Sequence, residues 1–195
     1  MIRVVALGDS TTAGTPGWLS PREAPPHGRG NEKSQYAYWL MRACPDWEVV
    51  NRGVNGERSD QIRERFDEDV LAANPRAAVI IAGVNDVYQG RGAAHVIEQL
   101  EWMYERAAAA GIPIVAGSIV PYNTATPEQN GRMRAINAWI RGCGVPFADT
   151  RAAVAARDNP DLLGDTPDSL HPSPDGYRRM AEAIRPVLER VIGGA

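Results

Sequence analysis

No window of this chain approaches the roughly 18 consecutive apolar residues that a membrane-spanning helix requires, so a span is not expected. Cysteine is scarce. The two present, Cys44 and Cys143, show neither a Cys-x-x-Cys repeat nor a Cys/His ligand spacing, which argues against a disulfide framework and a zinc module and leaves reduced, structural thiols. Positive charge is not in excess either: the formal net charge is -3 and the arginines are scattered. No basic face is available for phosphate backbones, and nucleic acid is not an expected partner. Internal repeats and low-complexity tracts are also missing. Met1 leads directly into an apolar run with no leader-like segment, which reads as a cytoplasmic protein. What is present is 195 residues with 44% hydrophobic content, enough for one core, and the whole chain, 1-195, is expected to form one domain.

Apolar runs at Ile2 to Leu7, Trp47 to Val50, Ala77 to Ala82, Ile112 to Ala116 and Val145 to Ala148 are continuous rather than alternating, as suits strands buried on both faces. Between them lie segments of helical spacing: Tyr36 to Ala43, Ser59 to Leu71 with Ile62, Phe66 and Val70 four apart, Ala93 to Ala110, and Glu128 to Arg141. A final amphipathic helix is marked by Ser173 as N-cap and Pro174 at the first helical position, and Pro186 within it predicts a kink or local break. Strands alternating with helices imply βαβ units. The expected fold is an α/β three-layer, flavodoxin-like domain with a doubly wound five-stranded parallel sheet in the order 2-1-3-4-5. A Pro/Gly-rich insertion at about 15-31 interrupts the pattern. Its prolines and glycines exclude regular structure through most of it, and its position just after the first strand predicts a rim or lid, with Trp18 and His27 as substrate contacts.

Three short stretches carry chemistry. Ser10, in Gly8-Asp9-Ser10, is a weak nucleophile unless a base takes its proton during attack. Of the three histidines, His171 alone has an acid suitably placed, Asp168, three residues earlier. A carboxylate there can bind one ring nitrogen and leave the other to face Ser10. Attack on an acyl carbon would place negative charge on the carbonyl oxygen, which needs fixed donors: the Asn85 side chain and the backbone amides of Ser10 and Gly56. Each motif taken alone has a plainer reading, since Asn85-Asp86 can be a turn and helix cap and Gly53 to Gly56 a simple turn. Asp9 reads as a turn-holding residue. Tyr88, after Asn85, and Tyr122, after the fourth strand, should line the pocket because both segments end on the same sheet edge.

The set Gly8-Asp9-Ser10, Gly56, Gly83-x-Asn85-Asp86 and Asp168-x-x-His171, in that order and across nearly the whole chain, resembles the SGNH hydrolases, also called GDSL esterases and lipases. Thr11 stands where the family name has leucine, and Glu57 follows the second-block glycine where aspartate is frequent. The resemblance implies a flavodoxin-like three-layer fold with Ser10 as nucleophile, Asp168 and His171 as orienter and base, and Gly56 and Asn85 as oxyanion donors. It implies a cofactor-free serine esterase or acylhydrolase acting on a small-molecule ester, and the absence of a long stripe of exposed apolar residues in the sequence points to a short or medium acyl chain. Two rivals use fewer of these residues. One is a flavin-binding module that uses Ser10 to Thr15 as a phosphate loop, and the other a metal-dependent phosphoesterase with Asp9, Asn85, Asp86 and His171 as ligands. Oligomeric state is not readable from the chain.

Overall fold

In the computed structural model, which describes residues 1-194, the five apolar runs form one all-parallel sheet. Its strands are β1 (Ile2–Gly8), β2 (Trp47–Gly53), β3 (Ala77–Ile81), β4 (Ile114–Gly117) and β5 (Phe147–Ala148), and they lie in the order β2-β1-β3-β4-β5. Counted over the central sheet, this is the expected 2-1-3-4-5. The full strand count differs because the insertion adds a two-stranded antiparallel ribbon, Trp18–Leu19 against Arg29–Gly30. Most of the insertion is irregular, as expected, and the short ribbon is possible because Pro16, Pro21, Pro25 and Pro26 all fall outside the paired residues, so none removes a ladder donor.

Two of the strands are shorter than the apolar runs. β4 starts at Ile114 because Pro113 has no amide and the Ile112 amide donates back to Ala107 O at 2.9 Å. β5 keeps only two residues because Gly144 turns the chain at positive φ and Pro146 lacks an amide.

The helices are α1 (Ser10–Ala13), α2 (Tyr36–Ala43), α3 (Ser59–Glu64) and α4 (Val84–Tyr88) in the first half. In the second half come α5 (Ala93–Ala109), α6 (Pro127–Gly142), α7 (Thr150–Val154) and α8 (Pro174–Gly193). Successive strand residues point to opposite faces, and both faces are covered. Val5, Leu7 and Ile80 meet Ile62, Phe66 and Met103 on one side, while Val4, Ala6 and Val79 meet Tyr36, Leu40, Tyr177 and Ile184 on the other. This two-sided burial explains why the strand sequences show no alternation.

Ser173 caps α8 by accepting from the Gly176 amide at 3.1 Å, as its sequence implies. The break expected at Pro186 is not there, and the helix runs through it. Pro186 sits on the exposed side, where water can satisfy the carbonyl its missing amide leaves free, while Val187 and Leu188 stay buried.

The expected helix from Ser59 to Leu71 divides into α3 and a wide π-type turn over Asp67–Leu71, yet Ile62, Phe66 and Val70 remain fully buried. The division falls where Arg65 turns its guanidinium into the protein. Arg65 donates to Gly8 O at 2.9 Å, Arg52 O at 2.8 Å and Glu57 Oε2 at 2.7 Å, and it pairs with Asp69, which is 1% exposed. One buried cation therefore ties the ends of β1 and β2 to the segment that follows β2. Arg65→Met would remove the closest partner of the buried Asp69 carboxylate, leaving only the longer approaches of Arg22 at 3.5 Å and Arg52 at 3.6 Å, and should destabilise the fold by about 3 kcal/mol, read as a lower urea midpoint at unchanged slope. A loss under 1 kcal/mol would contradict this account.

Candidate active site

The parallel register sets Gly8 of β1 level with Gly53 of β2 and Ile81 of β3, so the chain leaves all three strands at one edge. Ser10 begins α1 immediately beyond β1. Asp9 caps this short helix by accepting from the Thr11 amide at 2.9 Å, and Gly14 closes it in the left-handed region at φ 112°. From below, the Asn51 side chain donates to Thr12 O and Ala13 O, both at 3.0 Å, which satisfies carbonyls at the helix end. The end of β2 lies so close to α1 that a Cβ on Gly53 would stand 2.0 Å from the Ala13 nitrogen. Only glycine permits that contact.

The turn from Asp168 to His171 reaches this edge from the far end of the chain. Asp168 Oδ1 accepts from the amides of Leu170 at 2.9 Å and His171 at 2.8 Å, an arrangement completed by Ser169 at φ 67°. The Asn123 amide donates to Ser169 O at 2.8 Å and anchors the turn to the segment after β4. The imidazole then bridges two partners, with Nδ1 2.7 Å from Asp168 Oδ2 and Nε2 3.0 Å from Ser10 Oγ. Partial burial would raise the Asp168 carboxyl, but the His171 side chain and the Leu170 and His171 amides outweigh it and hold it below the usual carboxylate range. The structure thus unites Ser10, Asp168 and His171.

Asn85 sits in the first turn of α4 and donates through Nδ2 to Glu57 O at 2.8 Å, which leaves its second Nδ2 hydrogen for the cavity. Next to it, buried Asp86 accepts from the Ser59 amide and hydroxyl, both at 2.8 Å. Burial raises the Asp86 carboxyl against these two donors. Glu57 to Ser59 is thereby fastened to α4, and Gly56, at φ 81°, immediately precedes it.

A cavity of about 160 Å³ opens at this edge, lined by Ser10, Thr11, Asn55, Val84, Asn85, Tyr88, Tyr122, Leu170 and His171. Tyr88 and Tyr122 meet edge to face, with ring centroids 5.7 Å apart. The sequence does not mark Thr11, Asn55, Val84 and Leu170 as pocket residues, although each is adjacent to a residue it does mark for the site. Arg65 and Asn51, which hold the strand ends and α1, carried no local signal.

Trp18 does not line this cavity, contrary to expectation. It is 7% exposed, and its indole packs where a Cβ on Gly28 would lie 2.4 Å from the ring. Its apolar area is spent inside the insertion. His27 is exposed in the same segment. The insertion instead grips the chain beyond β2, with Ser20 Oγ donating to Gly53 O at 2.6 Å and Glu23 Oε1 accepting from the Asn55 amide at 3.0 Å.

Among the described residues, one group of His, Cys, Asp and Glu has the spacing of a metal cluster: Asp60, Asp86 and His95, with ligand atoms within 4.8 Å. It contains neither Asp9 nor His171, so the ligand set imagined for a metal-dependent phosphoesterase is not assembled. Asp60 is paired with Arg58 at 3.0 Å and Asp86 is engaged by Ser59. Cys44 and Cys143 are free thiols. No helix among the described residues is long and apolar enough to cross a membrane.

Comparison with known proteins agrees with this fold. Residues 6–179 match the GDSL-like Lipase/Acylhydrolase family. No curated protein matches significantly. Similar solved structures include a GDSL-like lipase from Bacteroides thetaiotaomicron, with 23% identity, 96% of this chain and 88% of that chain covered, and a TM-score of 0.74. A member of the lipolytic G-D-S-L family from Veillonella parvula has 17% identity, coverage of 97% and 100%, and a TM-score of 0.77. A catalytic mutant of an acetylxylan esterase from Geobacillus stearothermophilus has 21% identity, coverage of 98% and 94%, and a TM-score of 0.68. With a family match that runs through nearly all of the sheet and its site-bearing edge, the chain belongs to the GDSL-like lipase/acylhydrolase family of ester-cleaving hydrolases.

Proposed function

We propose that this protein hydrolyses short-chain carboxylic esters through an acyl-enzyme on Ser10. The observation that carries the reading is the His171 ring, held between Asp168 at 2.7 Å and Ser10 Oγ at 3.0 Å. Asp168, kept ionised, fixes a proton on Nδ1 and leaves Nε2 as the base. Ser10 Oγ attacks the acyl carbon as Nε2 takes its proton. The resulting oxyanion receives hydrogen bonds from the Ser10 and Gly56 amides and the Asn85 side chain. Collapse breaks the ester bond, and the imidazolium gives its proton to the departing alkoxide. Water then attacks the acyl carbon as Nε2 takes one of its protons, the bond from the acyl carbon to Ser10 Oγ breaks, and the imidazolium returns its proton to Oγ as the carboxylic acid leaves.

The size of the cavity favours a short acyl group: about 160 Å³ lies below the roughly 300 to 1,000 Å³ of pockets that take larger ligands. Tyr88 and Tyr122 form its apolar wall and would contact the acyl or alcohol part. An acetylxylan esterase is among the similar structures, consistent with a small acyl group. The direct test is labelling by an organophosphate together with p-nitrophenyl acetate and longer esters. Ser10→Ala should lose the label and the acetate activity, and activity should fall as the chain lengthens. A label that persists in Ser10→Ala would overturn the nucleophile assignment.

Asn85→Ala removes one oxyanion donor while the Glu57 carbonyl can be hydrated, so kcat should fall on the order of 100 to 1,000-fold with little change in KM. A rise in KM at constant kcat would move Asn85 from transition-state stabilisation to ground-state binding.

Asp9 is a scaffold in this mechanism. Burial outweighs its hydrogen bonds from Thr11 and raises its pKa to about 7, with Asp86 adding to the rise and Arg65 opposing it. Between the unfolded value of 3.8 and about 7, the folded protein holds a proton that the unfolded chain has lost. Stability contributed at this position therefore declines as pH rises through that window and levels off above it. Asp9→Asn should show no such decline and should gain on the wild type, by up to a few kcal/mol, between pH 4 and 8 in urea melts. A difference that is constant with pH would refute it.

A further inference from the structure

The Pro/Gly-rich insertion lends no lining residue to the pocket at Ser10, yet it is bonded to the segment that carries Gly56. Its sequence contains Ser20-Pro21-Arg22-Glu23, the serine-x-x-glutamate spacing of a capping box with proline directly after the cap. The bonds of that box are formed. The Ser20 amide donates to Glu23 Oε2 at 3.1 Å, and the Glu23 amide donates to Ser20 Oγ at 3.3 Å. The Glu23 and Ala24 amides also reach back to Ser20 O, at 3.0 and 2.8 Å. At a helix start such a pair satisfies orphan donors, but here Pro25 and Pro26 follow and the chain makes only turns.

What the box does instead is aim a carboxylate. With Oε2 held by its own turn, Glu23 presents Oε1 to the Asn55 amide at 3.0 Å. The turn itself is well anchored. Ser20 is fully buried and donates through Oγ to Gly53 O at 2.6 Å, while Arg22 donates to Glu68 Oε1 at 2.6 Å in the segment after α3.

Gly56 depends on such bonds because packing does not hold it. It is exposed, and apart from its chain neighbours no atom lies within 4 Å of where a Cβ would stand. It is the third residue of a turn from Val54 to Glu57, at the φ of 81° that a type II turn requires there. The bond that closes this turn, from the Glu57 amide to Val54 O, is long at 3.4 Å. Types I and II differ in which side the central peptide faces, and that peptide carries the Gly56 N–H. Beyond Gly56 the chain is held by Asn85 on Glu57 O and by Arg65 on the Glu57 carboxylate. Before it, Glu23 holds the adjacent amide, and without Glu23 the next bond back is Val54 to Gly8 O at 3.1 Å.

We infer that Glu23, presented by its box with Ser20, is a positioning residue for the proposed oxyanion hole: by holding the Asn55 amide it keeps the Gly56 peptide in one orientation. The role rests on the reading of Ser10 as nucleophile and Gly56 as donor. Two measurements on the full-length protein test it, turnover of p-nitrophenyl acetate and amide hydrogen exchange after nitrogen-15 labelling. Glu23→Ala should lower kcat roughly tenfold with KM within about twofold, a smaller loss than the roughly 100-fold or more of deleting a donor, because the Gly56 amide remains but is less well aimed. Glu23→Gln keeps one acceptor oxygen and should fall between wild type and Glu23→Ala. The Asn55 amide should exchange roughly tenfold faster in Glu23→Ala while the amides of β1 and β3 keep their protection. Should Glu23→Ala lose protection throughout the sheet, the same comparison is made with Glu23→Gln. A kcat in Glu23→Ala within about twofold of wild type, a KM that rises at constant kcat, or unchanged Asn55 exchange would each overturn the assignment. A wild type without esterase activity would overturn the Ser10 reading itself, and the role of Glu23 with it, even where the exchange responds as expected.

Discussion

The geometry of the catalytic edge depends on a buried guanidinium that takes no part in the chemistry. Parallel strands run out of ladder partners where the sheet stops, and at the end of β1 the Val54 amide reaches Gly8 O at 3.1 Å as the last of them. Arg65 supplies donors to Gly8 O at the end of β1 and Arg52 O near the end of β2, and its charge is answered by Asp69 and Glu57. A planar five-donor fork suits this task, where a lysine's single ammonium could not reach all four partners in fixed directions. The consequence extends outward. Glu57 is held by its side chain to Arg65, and its carbonyl accepts from Asn85, so the segment carrying Gly56 is fixed between β1 and α4.

The two ends of the chain meet at this edge because α8 packs along the sheet. Ser10 and His171 are 161 residues apart in sequence, yet Oγ and Nε2 stand at 3.0 Å. Tyr177, Met180 and Ile184 of α8 are fully buried against the face that also carries Tyr36 and Leu40. The Tyr177 hydroxyl adds a bond to Thr15 O at 3.1 Å, joining α8 to the chain just past α1. A long-range contact of this kind is costly in chain entropy, and it is the apolar area under α8 that offsets it. The imidazole is thus positioned by core packing first and by hydrogen bonds second.

The parts of the fold legible in sequence were those with a period or a punctuating residue. The five strands stood out as continuous apolar runs because both faces are buried, and Ser173-Pro174 announced α8. The proposed triad is legible because its chemistry demands a serine, a histidine and an acid, and Asp168 stands three residues before His171 while Ser10 directly follows the first apolar run. The failures share a cause: each depended on where a side chain ends up in three dimensions. Trp18 was assigned to the pocket from its place in a loop after Ser10, but its indole serves the ribbon against Gly28. Pro186 predicts a kink or local break, and the helix is not broken because its exposed position lets water satisfy the carbonyl left free. Arg65 gave no sign, since a lone arginine beside an apolar stripe usually points to solvent. The division of the Ser59 to Leu71 helix follows from that same inward turn.

The electrostatics of the edge follow from the same arrangement. Ester hydrolysis by the proposed route creates an oxyanion beside Ser10, and fixed negative charge close by would oppose it. Two buried carboxylates, Asp9 and Asp86, lie near, and each is managed differently. Asp9 is pushed by burial to about pH 7, so much of its charge is absent at neutral pH, and Arg65 offsets part of what remains. Asp86 is also raised by burial, while the amide and hydroxyl of Ser59 stabilise its ionised form. Asp168 is the carboxylate kept firmly ionised, and its oxygens face the imidazole and the amides of its own turn rather than the oxyanion position. In the proposed mechanism the dependable negative charge would therefore lie behind the imidazole, where it would stabilise the imidazolium, while burial reduces the charge of Asp9 beside Ser10. Arg65 serves both the geometry and the field, which is why a residue outside the motifs governs how well the motifs can work.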